Sequence, residues 1–465
     1  MKKMIGMSLL AATTLAFAST ADDIAKLEKE IAKLKKKVGK VNAQAANDNI
    51  KWGVDFRTAI DSINYDMADG STRSKNDLMS MRLWLNMAYA PDSHNVFKGQ
   101  LSMNKAFGAD FSQRNPNFTF GGFDWTANEA LTDNTLKVRQ AYWLYLGDSA
   151  FGLDMPWTFS IGRRPSTNGF LANLRDDDPA QSPLGHVINV EFDGLSSKLD
   201  LSNITGVPGM SIKLCMGQGS TNAAPIFSST QYSNDIDAPT DIQLAGFIFE
   251  PYNDGQIITK ATWYRAYELV DLINPLNPAL GFNSVGDMEG AAFSVLIDGI
   301  TEDGYFSDAK VFASFAWSKT LPSVGQTMLG SPDSETGTSW WVGTQLPVTE
   351  NGKFGIEYNH GSQYWRPFTY AEDTMIGSKL AARGDAWELY YTHQLTDALS
   401  AQVRYTKIDY DYTGSNGFFG STTGAAVKIS DLKAAAAAGD AQAAGMLPYV
   451  VESSDDFRFY IRYRF

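Results

Sequence analysis

The residues with chemistry to offer are few. The four histidines, His94, His186, His360 and His393, show no metal-ligand spacing. There is no G-x-S-x-G, no phosphate-cradling glycine loop and no CxxC pair, and the single cysteine, Cys215, has no reactive-thiol context. The histidines read as ordinary strand or rim residues. No catalytic residue, metal or cofactor is expected, and the chain is not expected to be an enzyme. One concentration of charge remains: Arg163 and Arg164, followed by Arg175, Asp176, Asp177 and Asp178. Such a set does no covalent chemistry. Arranged around a water-filled constriction, it makes a transverse field that orients polar solutes. The competing readings are a solvated surface turn, or a divalent-cation site shared with lipopolysaccharide.

What these charges do depends on the elements that carry them. From Ile50 onward apolar residues recur at every second position. Trp52, Val54 and Phe56 form one such set, and Met79, Met81, Leu83, Leu85 and Met87 another. Similar sets are Tyr142-Leu144-Leu146, Met210-Ile212-Leu214-Met216, Val311-Ala313-Phe315-Trp317 and Trp387-Leu389-Tyr391. A period of two marks strands with unlike faces. The pattern predicts strands near 50–63, 78–89, 96–107, 136–146, 156–164, 187–200, 209–216, 241–250, 256–267, 290–298, 308–318, 339–346, 352–361, 385–395, 398–410 and 455–465. The connections alternate short and long, a rule without reason in a soluble sandwich. It suits a membrane barrel with short periplasmic turns and long external loops. The expected fold is therefore all-β: a transmembrane antiparallel β-barrel of about sixteen strands over 47–465.

Both ends of the chain agree. Lys2 and Lys3 precede an apolar run closing on Ala16-Phe17-Ala18, a secretory signal over 1–18 that is too short to span a bilayer. Ile24, Leu27, Ile31, Leu34, Val38 and Val41 then follow the heptad seam of a short coiled coil, a periplasmic helix over 19–46 that favours a parallel dimer or trimer. At the other end Phe457, Phe459, Ile461, Tyr463 and Phe465 alternate with Arg458, Tyr460, Arg462 and Arg464. One face is apolar and aromatic for lipid, the other cationic for water.

A final strand ending in Phe465 resembles the C-terminal signature of Gram-negative outer-membrane proteins, which implies recognition by the barrel-assembly machinery. The signal, the Lys/Glu coiled coil, the linker Ala45-Ala46-Asn47-Asp48-Asn49-Ile50-Lys51-Trp52 and the barrel together resemble a family of porin-like outer-membrane proteins defined only as a domain of unknown function. The architecture also looks like the sixteen-stranded general porins, usually trimers, whose third external loop folds into the lumen. That resemblance puts the loop 165–186, with Arg175 and Asp176–Asp178, at the constriction and Arg163 and Arg164 at its root.

Strand parity gives a second expectation. It turns Arg82, Arg139, Arg404, Arg458 and Arg462 toward the lumen, where Asp55, Asp298, Glu357 and Glu388 are fewer in number. A basic wall concentrates anions, so a mild anion preference is expected although the whole chain carries a net charge of −13. The expected function is passive diffusion of small hydrophilic solutes across the outer membrane. The alternative is a structural or adhesive barrel that tethers the envelope through its coiled coil. Expected partners are lipid, lipopolysaccharide, the assembly machinery and further copies of the chain, with no nucleic acid. An Ala-rich segment in 411–454 predicts a helix, capped by Ser430 and stopped by Gly439, and a second turn capped by Asp440.

Overall fold

The computed structural model describes residues 50–109, 123–124, 126, 129–164, 166–221, 224–225, 233–234, 241–275, 277, 280–301, 303–369 and 374–465. The signal segment 1–18 and the coiled coil 19–46 lie outside these residues. Sixteen antiparallel strands close into one barrel in chain order. The first half comprises β1 (Lys51–Met67), β2 (Thr72–Tyr89), β3 (Asn95–Ala106), β4 (Lys137–Gly147), β5 (Trp157–Arg164), β6 (Phe192–Asp200), β7 (Ser211–Ser220) and β8 (Ile242–Asn253). The second half comprises β9 (Ile257–Leu272), β10 (Phe282–Asp298), β11 (Lys310–Pro322), β12 (Thr336–Thr349), β13 (Gly352–Gly361), β14 (Gly384–Gln394), β15 (Leu399–Tyr410) and β16 (Val451–Arg464). Several strands outrun their predicted limits at the long-loop end. The connection between β1 and β2 shrinks to the turn 68–71.

Closure removes the sheet edges, because β16 pairs with β1 from Asp55↔Arg464 to Met67↔Val451. Phe465 finishes the seam: its N–H donates to the Val54 carbonyl at 3.0 Å, and the Val54 N–H returns the bond at 3.1 Å. Outward positions are apolar. Trp52 is 61% and Phe465 67% exposed, and Phe293, Phe315, Val342, Val403, Phe459 and Ile461 also face out. Aromatic rings gather near both ends of this belt. Trp157 packs on Tyr145 at the short-turn end, and Trp340 and Trp387 flank Tyr358 toward the long-loop end. An exposed apolar surface of this extent is far beyond what a water-soluble monomer shows.

Parity holds along most strands but reverses within β4. A bulge opposite Gln100 and Leu101 inserts Arg139 as an extra residue, so that Val138 pairs with Leu101 and Gln140 with Gln100. Beyond it Trp143 and Tyr145 stand outside, against Phe159 and Trp157. Leu144 pairs with Ser160, which is buried on the lumen side. The outward set expected as Tyr142-Leu144-Leu146 thus lines the interior, because one extra residue changes the face of every residue after it.

The Ala-rich segment forms two short helices, α1 (Ile429–Ala437) and α2 (Ala441–Met446), that pack Ile429, Leu432 and Ala443 at the long-loop end of the barrel. Asp440 caps α2 by accepting from the N–H groups of Gln442 and Ala443. Ser430 lies inside the helix instead of capping it: α1 begins two residues earlier than expected, after Lys428, with no side-chain cap.

The β4 bulge can be tested in a Cys215→Ser background reconstituted in liposomes. Tyr142→Cys should react with a charged, membrane-impermeant thiol reagent and Trp143→Cys should not. The opposite labelling would restore the unbulged register.

Candidate functional site

The lumen is not an open tube. The loop 166–191, between β5 and β6, folds inward. Its root is β5, which bends at Gly162: φ is +125°, and a Cβ there would come within 2.3 Å of the Ala141 carbonyl oxygen. The loop buries Phe170, Leu171, Leu174, Leu184, Val187 and Ile188 against an apolar lumen face formed by Leu244, Ile248, Tyr264, Met288, Phe312 and Trp341. This is why the alternation is weak near 187–200 and 241–267. Where the interior of a barrel holds protein rather than water, inward residues need not be polar.

The opposite side of the same loop is charged and meets a charged wall. Arg175 is buried and donates to Glu388 of β14 at 3.0 Å, and its carbonyl accepts from Gln402 of β15 at 2.8 Å. Asp176 accepts from the Tyr460 hydroxyl at 3.0 Å, with Arg404 4.0 Å away. Asp177 has φ of +56°, in the left-handed region that Asp tolerates. It reverses the chain there and pairs with Lys353 of β13 at 2.8 Å. Asp178 lies 2.6 Å from Arg462 and 3.0 Å from Arg464 of β16.

The wall arginines are paired in turn. Arg462 also holds Asp55, Arg458 holds Asp61 at 2.5 Å, and Arg82 lies 3.7 Å from Asp55 with its guanidinium over the Trp84 ring. Arg139 binds Glu129 at 2.7 Å and Glu191 at 3.1 Å. Arg163 sits apart from the tip, at the loop root, between Asp124, Asp193 and Glu191. Arg164 turns into the lumen and donates to the Ser160 and Ser196 hydroxyls.

The described residues of a second connection, 362–369 and 374–383, also fold inward, which the charge pattern of the sequence does not signal. Its Lys379 bridges Glu357 at 2.6 Å and Glu388 at 2.5 Å. Its Arg366 and Arg383 donate to backbone carbonyls of 413–424: Arg366 to Ser415 at 2.5 Å, and Arg383 to Thr413 and Gly424 at 2.8 and 2.9 Å. The two inward loops touch where the Asn189 N–H donates to the Phe368 carbonyl at 2.7 Å. Between them a gap lined by Asn168, Ala172, Arg175, Trp341 and Lys379 has a volume of about 10 Å³, room for one water. The sequence signal for such docking is a long connection carrying large apolar residues, here Phe170, Leu174, Leu184, Trp365 and Phe368, that external loops have little use for.

His186 belongs to this docking. Its Nδ1 and Nε2 lie 2.8 and 2.9 Å from the hydroxyls of Ser314 and Ser339, and it is completely buried. Burial pushes its pKa down to about 3. The other histidines are peripheral, with His94 on the Leu146 carbonyl, His360 on Asp385 and His393 beside Tyr391.

The chain matches, over residues 72–465, a family described as a protein of unknown function, DUF3373. It belongs to that family. No curated protein matches it. Among solved structures this DUF3373 member is similar to the anion-selective porin from Comamonas acidovorans, with 11% identity, coverage of 90% of this chain and 99% of that one, and a TM-score of 0.49. It is also similar to Salmonella typhi OmpF in complex with daunomycin, with 12% identity, 90% and 99% coverage, and a TM-score of 0.47. A third is the trimer form of Vibrio cholerae OmpT, with 12% identity, 90% and 100% coverage, and a TM-score of 0.44.

Two tests follow from the docked loop. Glu388 is fully buried and neutralises Arg175 and Lys379 together. Glu388→Gln removes the anion they share and leaves Lys379 to Glu357 and Arg175 to Asp176, a loss of up to about 3 kcal/mol. The urea midpoint for loss of the compact gel form should fall measurably, and an unchanged midpoint would refute the pairing. For His186 the folded state binds its proton only near pH 3, whereas the released loop binds it near 6.5. Docking is unaffected above pH 6.5 and weakens as the pH falls from 6.5 toward 3, by at most about 1.4 kcal/mol per unit. Proteolysis within 166–191 should accelerate over that range, and more steeply in the wild type than in His186→Gln. Identical profiles would exclude His186 as a contributor.

Proposed function

We propose that the protein is an outer-membrane channel that passes small hydrophilic solutes by passive diffusion, and that the docked loops set its narrow bore. The observation that carries this reading is the closed sixteen-strand barrel, which combines an apolar, aromatic-rimmed exterior with a lumen crossed by charged side chains from loop and wall. In lipid only helices and closed barrels satisfy every backbone group, and this chain has the second solution. The role assigned to the chain is transport rather than catalysis. The short turns and the N-terminal coiled coil then face the periplasm and the long loops the exterior. Association into trimers, as in the trimer form of Vibrio cholerae OmpT, is part of the same proposal. So are contact with lipopolysaccharide and recognition of the strand ending in Phe465 by the assembly machinery.

The basis for anion preference lies in the cations left over once the arginines of the constriction are paired. Lys51, Lys98, Lys198 and Lys213 stand on the lumen face of the short-turn half, and among the described residues none has a carboxylate within ion-pair distance. They are placed to draw anions toward the constriction from the periplasmic side.

A second reading, a structural or adhesive barrel with the coiled coil as envelope tether, is favoured by one observation. Two loops and many buried ion pairs fill the mid-barrel more completely than free diffusion requires. Planar-bilayer recording of the refolded mature chain separates the two. The channel reading expects small, discrete conductance steps, a reversal potential of the anion-selective sign in a salt gradient, and larger steps for a double variant Arg175→Ala, Asp177→Ala. Silence from both proteins, in preparations whose gel mobility shows a folded barrel, would leave the structural reading.

A further inference from the structure

Most of the arginines described above on the barrel wall have a carboxylate within ion-pair distance, and one sector departs from that pattern. On β5, β6 and β7 the inward side chains are Ser160 and Arg164, Ser196 and Lys198, and Lys213 and Cys215. Lys198 lies directly opposite Lys213 in the ladder, an arrangement of like charges that is unfavourable by itself. Among the described residues Arg164 donates to the Ser160 and Ser196 hydroxyls, and the Lys213 ammonium donates to the Ser182 hydroxyl of the inward loop at 2.5 Å. Lys260 of β9 approaches from the side, its ammonium 4.8 Å from the Phe170 ring. Two acids stand in this sector: Asp200 interacts electrostatically with Lys198 from beyond ion-pair distance, and Glu250 is 3.6 Å from Lys260 and also accepts from the Asn253 amide. Among the described residues, Arg164, Lys198 and Lys213 have no carboxylate within 4.0 Å. They contrast with Arg139, Arg175, Arg458 and Arg462, each of which has one.

Two of these cations, Arg164 and Lys213, border a cavity of about 60 Å³ together with Ser182, Cys215, Thr262 and Tyr264, and the rest of its lining, Ile188, Phe192, Leu244 and Ile248 among it, is largely apolar. At about 15 Å³ per water it holds a handful of solvent molecules, or one small oxyanion. Hydroxyls complete the donor set. Ser182 accepts from Lys213, so its own hydrogen is free to turn toward a ligand oxygen. Arg164 offers a planar fork suited to two oxygens of one anion.

We propose that this cavity is a binding site for a small oxyanion of the phosphate or sulfate type, held by Arg164, Lys213 and Ser182 with Lys198 adding charge. The site deepens the channel reading, since it rests on an aqueous lumen reachable from solution. It would act as a station beside the constriction, and occupancy there is a step that a simple diffusion path lacks.

Cys215 is the one cysteine of the chain and lines the cavity, so it reports on the site without engineering. In the mature protein refolded into detergent micelles, thiol modification is followed with an anionic methanethiosulfonate and its cationic homologue, at constant ionic strength in chloride. The anionic reagent should react at least about tenfold faster. Inorganic phosphate should slow it along a saturating curve, whereas equal ionic strength of chloride does not. Lys213→Gln should remove the saturation, Lys198→Gln should weaken it, and Lys75→Gln, exposed on β2 and outside the cavity, should leave it intact. Equal rates for the two reagents, or phosphate protection that never saturates, would overturn the site. So would protection that survives Lys213→Gln. If the thiol resists both reagents, calorimetric titration of phosphate into wild type and Lys213→Gln decides, and heats that do not differ overturn it. A silent bilayer record beside saturable protection would sink the channel and keep the site. Conductance without protection would do the reverse.

Discussion

A charge carried into the middle of a barrel must meet an opposite charge there, and the architecture of this lumen follows from that demand. Arg175 and Asp176 are buried as deeply as core leucines. Removing such groups from water costs several kcal/mol each unless a partner and further hydrogen bonds replace the lost hydration. Glu388, Arg404, Tyr460, Gln402 and Arg462, drawn from three adjacent strands, supply them. The loop in turn neutralises the wall, since Arg462 shares its guanidinium between Asp55 of β1 and Asp178 of the loop. Neither loop nor wall is electrostatically complete without the other.

The loop is two-faced for the same reason that a surface helix is. Its apolar side packs against β8–β12 and its charged side against β13–β16 and β1, so the lumen wall is divided into an oily half and an ionic half. Residues 362–369 and 374–383 close the arrangement from the long-loop end. Lys379 joins the ionic half through Glu357 and Glu388, and Trp365 and Phe368 join the oily half. Arg366 and Arg383 then fasten the next loop by its carbonyl oxygens. Buried backbone acceptors in a long irregular segment need donors, and a guanidinium supplies several in one plane.

Against this dense pairing, the short-turn half of the lumen stands out for its surplus of cations. The basic wall read from strand parity is present, but its arginines of the constriction are spent on partners. The free positive charge lies lower, on lysines. On the channel reading proposed above, ion selectivity depends on the approach to the constriction more than on the constriction itself.

The amino-acid sequence by itself determined a barrel of about sixteen strands in chain order and, for the strands with a clear two-residue alternation other than β4, which side faces out. Those properties are set by a two-residue period and by turn composition, and both are local. It marked Arg175 and Asp176–Asp178 as a charged loop tip through their position along the chain. It could not show that Glu388 waits for Arg175, that Lys379 arrives from a second inward loop, or that His186 lies between two serines. Those pairings join residues up to hundreds of positions apart, and only closure of the sheet brings them together. The bulge at Arg139 belongs with them. A single inserted residue leaves hardly a trace in composition, yet it reverses the face of all that follows, and the hydrogen-bond register against β3 is what places it.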